Sequence, residues 1–503
     1  MIVNRGLEKR FGSVLMEIGD GLAEIDIGVD EDQFCGLMKI GGLERRCGAC
    51  DGYGVDGVLA LVLLGFDRER KKKKEEEEKK EEMAQKRKEK ENEVLEKETV
   101  SKLPLYTFKI EREHPIEDGN VNVNSSEELP QVFFLHNLLL GQWEDRMRRG
   151  LFRYDVTNCE TKVIPGKYGF IAQLNEGRHL TKRLTEFRVD QVLQPFDDSK
   201  FNFTKVGQEE VLFRFEPSND NKSHFFPSAD IASDLNSPSV IAINVSPIEY
   251  GHVLMIPRLL DYLPQRIDHK SFLFAVHMTR EAADPFFRVG YNSLGAFATI
   301  NHLHYQAYYL AVPLPVEKAP NRRVGEEKGL SDKGVVVSEL WNYPTRGLVF
   351  EGGNTISDLS DVVASSCICL QNKNIPFNVL ISDCGKRIFL FPQCFAEKQA
   401  LGEVSQEILD TQVNPAVWEI SGHIVLKRRK DFDDASQAYA WRLLAEVSLS
   451  KVRFQLVKDY VFEAAGLQKA NVEENNINEK ESLYKTPARP AAPHLPRDFS
   501  VHQ

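Results

Sequence analysis

The feature that most constrains this sequence is an alternating stretch near its middle, residues 300–310, which reads INHLHYQAYYL. Its β-branched and aromatic residues, with a polar residue at every second position, predict a β-strand. Side chains of a strand alternate between two faces, so His302, His304 and Gln306 are expected on one face. Neighbours on one face lie about 6–7 Å apart. Two imidazoles and a carboxamide in one row are costly to bury without partners.

Three interpretations of this polar row stay open on the residues alone. The first is a half-exposed strand with a polar face. The second is a metal site, because alternate histidines on a strand can share an ion, although Tyr308 and Tyr309 stand where a cupin-type strand would have a carboxylate. The third is a nucleophilic histidine. A neutral imidazole can attack a phosphoryl centre and carry it as a phosphoramidate, given neighbouring donors for the phosphate oxygens.

The motif His-x-His-x-Gln resembles the active-site strand of the histidine-triad superfamily, and more closely that of its nucleotidyltransferase branch. The upstream segment NVSPIEYGHVLMIPR is similar to the strand–turn–strand that precedes this site in the superfamily. Further blocks resemble the plant GDP-hexose phosphorylases: HNLLLGQWEDR at 136–146, QLNEGR at 173–178, FNFTK at 201–205 and LVFEGG at 348–353. The resemblance covers about residues 103–465.

The resemblance implies phosphorolysis of a GDP-hexose, GDP-L-galactose in ascorbate synthesis for the plant members, to GDP and hexose 1-phosphate. It assigns the guanylylated nucleophile to His304, an orienting role to His302 and an amide that holds the phosphoramidate to Gln306. The partners implied are the GDP-hexose and inorganic phosphate, and the chemistry requires neither a metal nor another cofactor. A related nucleotidyltransferase, a nucleotide-sugar hydrolase and a catalytically silent nucleotide-sensing protein remain as alternatives.

Four residues outside the motif are candidates for substrate binding. Arg178 and Lys182 lie in a basic, glycine-containing segment that is predicted as a loop. Such a loop can grip a diphosphate and is equally typical of a solvated surface. Asn292 lies in a predicted Gly/Asn turn before the active-site strand. Thr299 corresponds, by the resemblance, to a hydroxyl that contacts phosphate in the superfamily.

The predicted fold class is α+β: tandem histidine-triad-like domains with antiparallel sheets and packed helices, the second copy being degenerate. The catalytic domain is expected at 101–330 and the degenerate one at 331–465. Residues 1–66 are assigned to no element. Residues 67–100 form a Lys/Glu-rich linker or solvated helix without a core face, and residues 466–503 are a polar, Pro-rich tail that is expected to be disordered.

The second domain is inferred from one short internal echo. Asn378 precedes Pro392 by 14 positions, much as Asn244 precedes Pro257 by 13, with similar residues between them. We therefore align these two segments as equivalent strand pairs of two repeats. No His-x-His-x-Gln motif follows the second segment, and His423 is the nearest feature, so one catalytic strand per chain is expected.

Hydrophobic periodicity predicts the remaining elements. Helices are expected at 133–150, 271–283 and, as one or two helices, 435–465; strands are expected at 167–174, 191–193, 211–215, 240–245 and 252–256.

Composition limits the partners and the compartment. The net charge of −11 argues against nucleic-acid or anionic-membrane binding by the whole surface. The most apolar run, residues 58–66, is too short to span a bilayer, and the first residues lack a signal-peptide pattern. The eight cysteines indicate a reducing compartment, so a cytoplasmic protein is expected, with a nuclear location also open.

Cys47 and Cys50 form a lone pair without a second pair, so no metal site is expected there. A homodimer is compatible with the sequence.

Overall fold

The computed structural model describes strands within residues 11–46, followed by 103–109, 134–181, 187–218, 222–229, 237–324 and 333–466, with the side chains of 179–181 left out. The chain divides into two compact units, Met1–Leu95 and Glu96–Gln503, which are described separately. Lys182, the pair Cys47 and Cys50, the Lys/Glu-rich segment and the tail beyond Gly466 lie outside the described residues.

The first unit contains a four-stranded antiparallel sheet where no element was predicted. Its strands follow one another in chain order: β1 Phe11–Ile18, β2 Gly21–Asp30, β3 Gln33–Ile40 and β4 Leu43–Arg46. Residues 22–29 of β2, LAEIDIGV, place apolar residues at alternate positions, which is the pattern of a half-buried strand. This alternation was therefore the local signal for β2.

The second unit is built on a twelve-stranded sheet, counted over the described residues. Its strands are β5 Leu105–Phe108, β8 Val211–Pro217, β9 His224–Phe226, β10 Val240–Ile243, β11 Val253–Ile256, β12 Phe287–Asn292, β13 Tyr305–Tyr309, β14 Asn321–Arg323, β15 Val335–Leu340, β16 Leu348–Gly352, β17 Phe377–Ser382 and β18 Arg387–Pro392. They lie in the order β14-β15-β16-β18-β17-β12-β13-β11-β10-β8-β5-β9. A smaller sheet joins β6 Thr161–Val163, β7 Ile171–Leu174 and β19 His423–Leu426.

Ten α-helices of the described residues flank these sheets. They are α1 Phe134–Arg148, α2 Glu176–Thr181, α3 His269–Ala282, α4 Ile356–Asn372, α5 Phe395–Ala400, α6 Gln406–Asp410, α7 Val417–Ile420, α8 Arg429–Asp433, α9 Gln437–Val447 and α10 Lys451–Ala464. The two long central helices each begin at a capping box, Asp268 with Ser271 for α3 and Thr355 with Asp358 for α4. Among the described residues, no helix has the length and apolarity needed to cross a membrane.

The large sheet contains an internal duplication. In the first repeat, β8, β10 and β11 are followed by α3 and then by β12 and β13; in the second, β14, β15 and β16 are followed by α4 and then by β17 and β18. The order of the strands matches within each repeat, and β12 pairs with β17 to join the two. The predicted α+β fold with tandem domains and antiparallel sheets is confirmed.

This topology corrects the internal alignment made from the sequence. The echo paired the strands β17 and β18 with β10 and β11, whereas the order of strands and helices makes β12 and β13 their counterparts. The two repeats differ in the connection between these strands, which runs through residues 293–304 in the first repeat and only 383–386 in the second. The His-x-His motif lies in the longer connection, so the second repeat lacks the segment that carries it.

Each face of the large sheet is covered. One face packs against α1, α3, α4 and α10, and its core includes Tyr305 and Ala307 of β13. The other packs against α7, α9 and the smaller sheet, and its core includes Tyr308. The alternation along β13 therefore follows the expected period of two. Gln306 shares the second face with Tyr308.

The predicted helices are present, and one short predicted strand is not. The helices predicted at 133–150 and 271–283 are confirmed as α1 and α3, and 435–465 forms α9 and α10. Residues 191–193 were wrongly predicted as a strand; there the Val192 amide donates to Asn374 Oδ1 at 2.8 Å instead of to a neighbouring strand.

Candidate active site

The strand that carries the polar motif is shorter than predicted. β13 begins at Tyr305, so both motif histidines lie in the connection before it. The reason is a long-range competition for backbone hydrogen bonds. Leu303 N donates to the Leu263 carbonyl at 2.8 Å, and His304 N donates to Gln265 Oε1 at 2.9 Å, so neither amide is available to a neighbouring strand.

His304 is held in one neutral tautomer. Its Nδ1 lies 2.8 Å from the His302 carbonyl oxygen, and a carbonyl only accepts, so Nδ1 carries the proton and Nε2 the lone pair. Burial lowers the pKa of His304 to about 4, and the hydrogen bond to the carbonyl opposes only part of that shift. The imidazole is therefore neutral at pH 7 and is poised to act as a nucleophile.

Gln265 fixes the backbone of His304 from both sides. Besides accepting from His304 N, its Nε2 donates to the His304 carbonyl at 3.1 Å and to the Asn292 carbonyl at 2.9 Å. The Gln265 backbone amide donates to Asn301 Oδ1 at 2.9 Å. This buried network fixes the backbone position from which the His304 ring extends. Nothing in the local sequence pattern indicates this role for Gln265.

His302 lies behind the site rather than at its surface. It is fully buried, its Nδ1 accepts from the Phe203 amide at 3.0 Å, and its ring packs edge-on against Phe196. Burial lowers the pKa of His302 to about 4; His304 adds to that shift, and the carbonyl of Leu259 opposes it. Its buried Nε2 has no hydrogen-bond partner within the described part of the chain. His302 is thus placed to orient the connection, not to contact a substrate.

A cavity of about 200 Å³ opens in front of His304 and Gln306. Its lining combines charged groups with an apolar wall. The charged residues are Arg153, Arg178, Lys205 and Glu210, and the apolar wall includes Phe201, Phe203, Val206, Leu254 and Ile300. The Phe203 ring lies edge-on to the His304 ring, with centroids 4.9 Å apart. The cavity therefore offers cations for phosphates and flat apolar surface for a base or sugar.

The predicted substrate-binding residues fall into three groups. Arg178 and Thr299 line the cavity, and Lys182 lies outside the described residues. Asn292 does not line it: its buried Oδ1 accepts from Asn378 Nδ2 at 2.7 Å and from Val417 N at 3.0 Å. Asn292 therefore lies at the pairing of β12 with β17, which connects the two repeats. Asn292 is the last residue of β12, so the turn predicted around it begins later, at residues 294–297.

The segment of Arg178 is a helix and not the predicted loop. Asn175 Oδ1 accepts from Arg178 N at 3.0 Å, which is the hydrogen bond of a helix N-cap. The Arg178 guanidinium donates to the Ser246 carbonyl and so bridges α2 to the connection between β10 and β11.

No group of three or more His, Cys, Asp or Glu among the described residues is arranged to hold a metal ion. The histidines of the motif are instead engaged by backbone groups, as set out above.

Two family models match the chain in tandem. The GDPGP1-like N-terminal domain matches residues 134–308 and the GDPGP1-like C-terminal domain matches residues 315–468. The chain belongs to the GDPGP1-like family.

The relatives of this GDPGP1-like chain include both plant and animal proteins. GDP-L-galactose phosphorylase 1 of Arabidopsis thaliana is 66% identical over 367 residues, 73% of this chain and 81% of the relative. GDP-L-galactose phosphorylase 2 of the same plant is 64% identical over 369 residues, 73% and 82%. GDP-D-glucose phosphorylase 1 of Homo sapiens is 32% identical over 337 residues, 64% and 81%. Among solved structures, yeast Ap4A phosphorylase Apa2 with Ap4A aligns at a TM-score of 0.41 and 13% identity, over 63% of this chain and 99% of that one.

Sequence reasoning missed several residues of this GDPGP1-like site. Arg153 and Lys205 add to the charge of the cavity. Lys205 lies in one of the blocks that carried the resemblance, which was the available signal. Trp418 reaches the site from the C-terminal domain, with Nε1 3.5 Å from Gln306 Oε1. No spacing in the sequence connects these two residues, because they are far apart in the chain.

Proposed function

We propose that this chain catalyses the phosphorolysis of GDP-L-galactose to GDP and L-galactose 1-phosphate through a guanylylated His304. One observation carries the proposal: a neutral His304, with its proton fixed on Nδ1, faces a cavity that contains Arg178, Lys205 and Gln306. Two plant relatives named GDP-L-galactose phosphorylase support the choice of substrate.

In the first step, the lone pair of His304 Nε2 attacks the α-phosphorus of the GDP-hexose. A P–N bond forms as the bond between the α-phosphorus and the bridging oxygen breaks. That oxygen leaves with the electron pair on hexose 1-phosphate. The ring becomes a phosphoramidate whose proton stays on Nδ1 and is donated in a hydrogen bond to the His302 carbonyl, which stabilises the positive charge that develops on the imidazole.

In the second step, an oxygen of inorganic phosphate attacks the same phosphorus. The P–N bond breaks, its electron pair returns to His304 Nε2, and GDP leaves. Two displacements allow one anion to depart before the next enters, so that three phosphoryl groups never crowd the cavity. The cations Arg153, Arg178 and Lys205 supply the local positive charge that an acidic protein otherwise lacks.

Gln306 is proposed to direct its amide hydrogens at the phosphoryl oxygens. A carboxamide donates without exchanging protons near neutral pH, so it stabilises the intermediate without activating water. This supports phosphorolysis over the alternative of a nucleotide-sugar hydrolase.

Intact-mass analysis tests the intermediate. After the protein is mixed with GDP-L-galactose and no phosphate, we expect a covalent GMP adduct, and we expect none with His304→Asn. Addition of phosphate should discharge the adduct as GDP. A wild-type protein that turns over GDP-L-galactose without ever carrying the adduct would refute the mechanism.

A substrate panel tests the choice of sugar. The human relative is named GDP-D-glucose phosphorylase, so GDP-D-glucose is the specific competitor. Rates with GDP-L-galactose, GDP-D-glucose, GDP-D-mannose and UDP-glucose, each with and without phosphate, decide between them. We expect the highest kcat/KM for GDP-L-galactose.

A further inference from the structure

The two ends of the Gln306 carboxamide have opposite effects on a phosphoryl group. The NH₂ end donates hydrogen bonds to phosphate oxygens, whereas the carbonyl end repels them. The orientation of this amide therefore decides whether Gln306 assists the transfer. The question is which group in the protein sets it.

Trp418 contacts the carbonyl end. The indole Nε1 lies 3.5 Å from Gln306 Oε1, and an indole N–H only donates. Trp418 is almost fully buried, and its ring packs on that of Tyr308 with centroids 4.0 Å apart. The Tyr308 hydroxyl in turn lies 2.9 Å from His423 Nδ1. The indole is thus held in place by buried groups and not by solvent.

The start of α7 is anchored to the sheet next to the site. Val417 N, one residue before Trp418, donates to Asn292 Oδ1 at 3.0 Å. Gln306 also forms a hydrogen bond with the buried side chain of His252, and this bond opposes the lowering of the His252 pKa by burial. A bond that favours the protonated imidazole is one in which the ring donates. It therefore ends on the carbonyl oxygen of Gln306 and favours the same orientation of the amide.

Gly290 provides the space through which the indole reaches Gln306. It is the residue of β12 that pairs with Gln306 of β13. A Cβ at this position would lie 2.7 Å from Val417 Cγ1 and 3.0 Å from Trp418 Cζ2, closer than packed carbon atoms approach. The contact between Trp418 and Gln306 therefore depends on a residue without a side chain at position 290.

We propose that Trp418, a residue of the C-terminal domain, is a positioning residue for the transfer: its indole N–H holds the carbonyl oxygen of Gln306, so that the Gln306 NH₂ group faces the phosphoryl group on His304. This inference rests on the proposed phosphorolysis. It gives the C-terminal domain, which lacks a His-x-His-x-Gln motif of its own, a direct part in the chemistry of the N-terminal domain.

The test compares Trp418→Phe with Trp441→Phe in the full-length protein. Trp441 lies in α9, where its ring contacts Tyr168, and so provides a matched loss of one indole away from the site. We expect Trp418→Phe to slow discharge of the guanylyl intermediate by phosphate about threefold to tenfold, the range for one neutral hydrogen bond. The KM for GDP-L-galactose should stay close to that of Trp441→Phe, whereas the melting temperature of Trp418→Phe should be lower, because Trp418 is the more buried of the two and its truncation leaves a cavity.

A double-mutant cycle separates positioning from general packing. If Trp418 acts through Gln306, Trp418→Phe will cause no further loss in a Gln306→Ala background. An equal loss in both backgrounds, or a discharge rate equal to that of Trp441→Phe, overturns the inference.

Should Trp418→Phe fail to fold, Gly290→Ala provides the second variant, because its Cβ displaces the indole. It should then slow the same step, and an unaltered rate would also overturn the inference.

The outcome also separates this inference from the proposed function. A wild-type protein that forms no GDP from GDP-L-galactose and phosphate contradicts the proposed function itself. An active wild-type protein whose discharge rate is insensitive to Trp418→Phe contradicts only the role of Trp418.

Discussion

Asn292 and Asn378 face each other across the strand pair that joins the two repeats, and Asn378 Nδ2 donates to Asn292 Oδ1 at 2.7 Å. The same Nδ2 donates to the Ala296 carbonyl at 2.9 Å, so Asn378 also ties down the connection that leads to the active-site histidines. A residue of the second repeat therefore fixes the start of the catalytic segment of the first.

The first prediction concerns Asn378→Ala. The substitution leaves the Asn292 oxygen and the Ala296 carbonyl short of a donor in a buried place, so we expect a loss of about 2 kcal/mol in the free energy of unfolding. Turnover should fall as well, because the connection is loosened. Urea unfolding followed by circular dichroism measures the first effect. Asn372→Ala, at an exposed position near the end of α4, is the control; equal stability of the two variants would contradict the prediction.

The second prediction concerns pH. Burial lowers the pKa of His304 to about 4, and the neutral ring is the nucleophile. The rate of guanylylation should therefore hold from pH 7 down to about pH 5 and fall only as the pH drops through about 4, since protonation removes the lone pair. Rapid-quench measurement of hexose 1-phosphate without added phosphate follows this step alone, with circular dichroism at each pH as the check on folding. A midpoint near the ordinary histidine value of about 6.5 would show that the ring is not shielded.

The third prediction concerns Gln306→His. Residue 306 lies on the cavity wall near His304, and an imidazole can exchange a proton near neutral pH where an amide cannot. A histidine at 306 would therefore assist attack by water on the guanylyl intermediate. We expect the ratio of GMP to GDP at saturating phosphate to rise even as total turnover drops. Chromatographic analysis of the products decides it; a product that is still almost entirely GDP would assign the choice between water and phosphate to another residue.

The fourth prediction concerns Arg178→Gln. The guanidinium lines the cavity and bridges α2 to the Ser246 carbonyl. Loss of a charged donor to a diphosphate should lower kcat/KM for the GDP-hexose about tenfold to a hundredfold. The matched control is Arg188→Gln, because Arg188 is exposed and pairs with Asp190, two residues along the chain, at 2.6 Å. Steady-state kinetics on both variants provide the measurement, and equal values for the two would remove Arg178 from the binding site.

The fifth prediction concerns the N-terminal residues. The chain divides between Leu95 and Glu96, and the described residues of the cavity all lie in the second unit. A chain that begins at Ser101 should therefore retain folding and phosphorolysis at close to the full rate. The assay is kcat/KM for GDP-L-galactose beside the full-length protein; a folded but inactive product would give residues 1–100 a part in catalysis.

The sequence was informative where structure depends on local patterns. The alternation along residues 300–310 placed Gln306 correctly on a strand, but the start of that strand depends on Gln265 and Leu263, whose hydrogen bonds to the connection no local pattern reveals. For Arg178 a local signal did exist: Asn175 is a typical N-cap residue, and it was overlooked in favour of the glycine. The two segments of the internal echo are similar in sequence, but they are not equivalent strands of the two repeats.

The misplacement has a physical reason. Equivalent strands of the two repeats are separated by connections of different length, 293–304 and 383–386, so a comparison at fixed spacing selects the wrong pair. In the same way, the contact of Trp418 with Gln306 depends on the packing of α7 over Gly290. Such contacts follow from the assembled sheet, whereas the strands and helices themselves follow from periodicity.

The junction between β12 and β17 also closes an edge that each repeat would otherwise present. Every residue of both strands is buried, and each lies at the margin of its own repeat. A repeat on its own would expose a six-residue strand with unpaired amides and carbonyls, which is the kind of edge that can pair with a strand from another molecule. Because both repeats lie in one chain, each of these two strands is paired by the other within the same molecule.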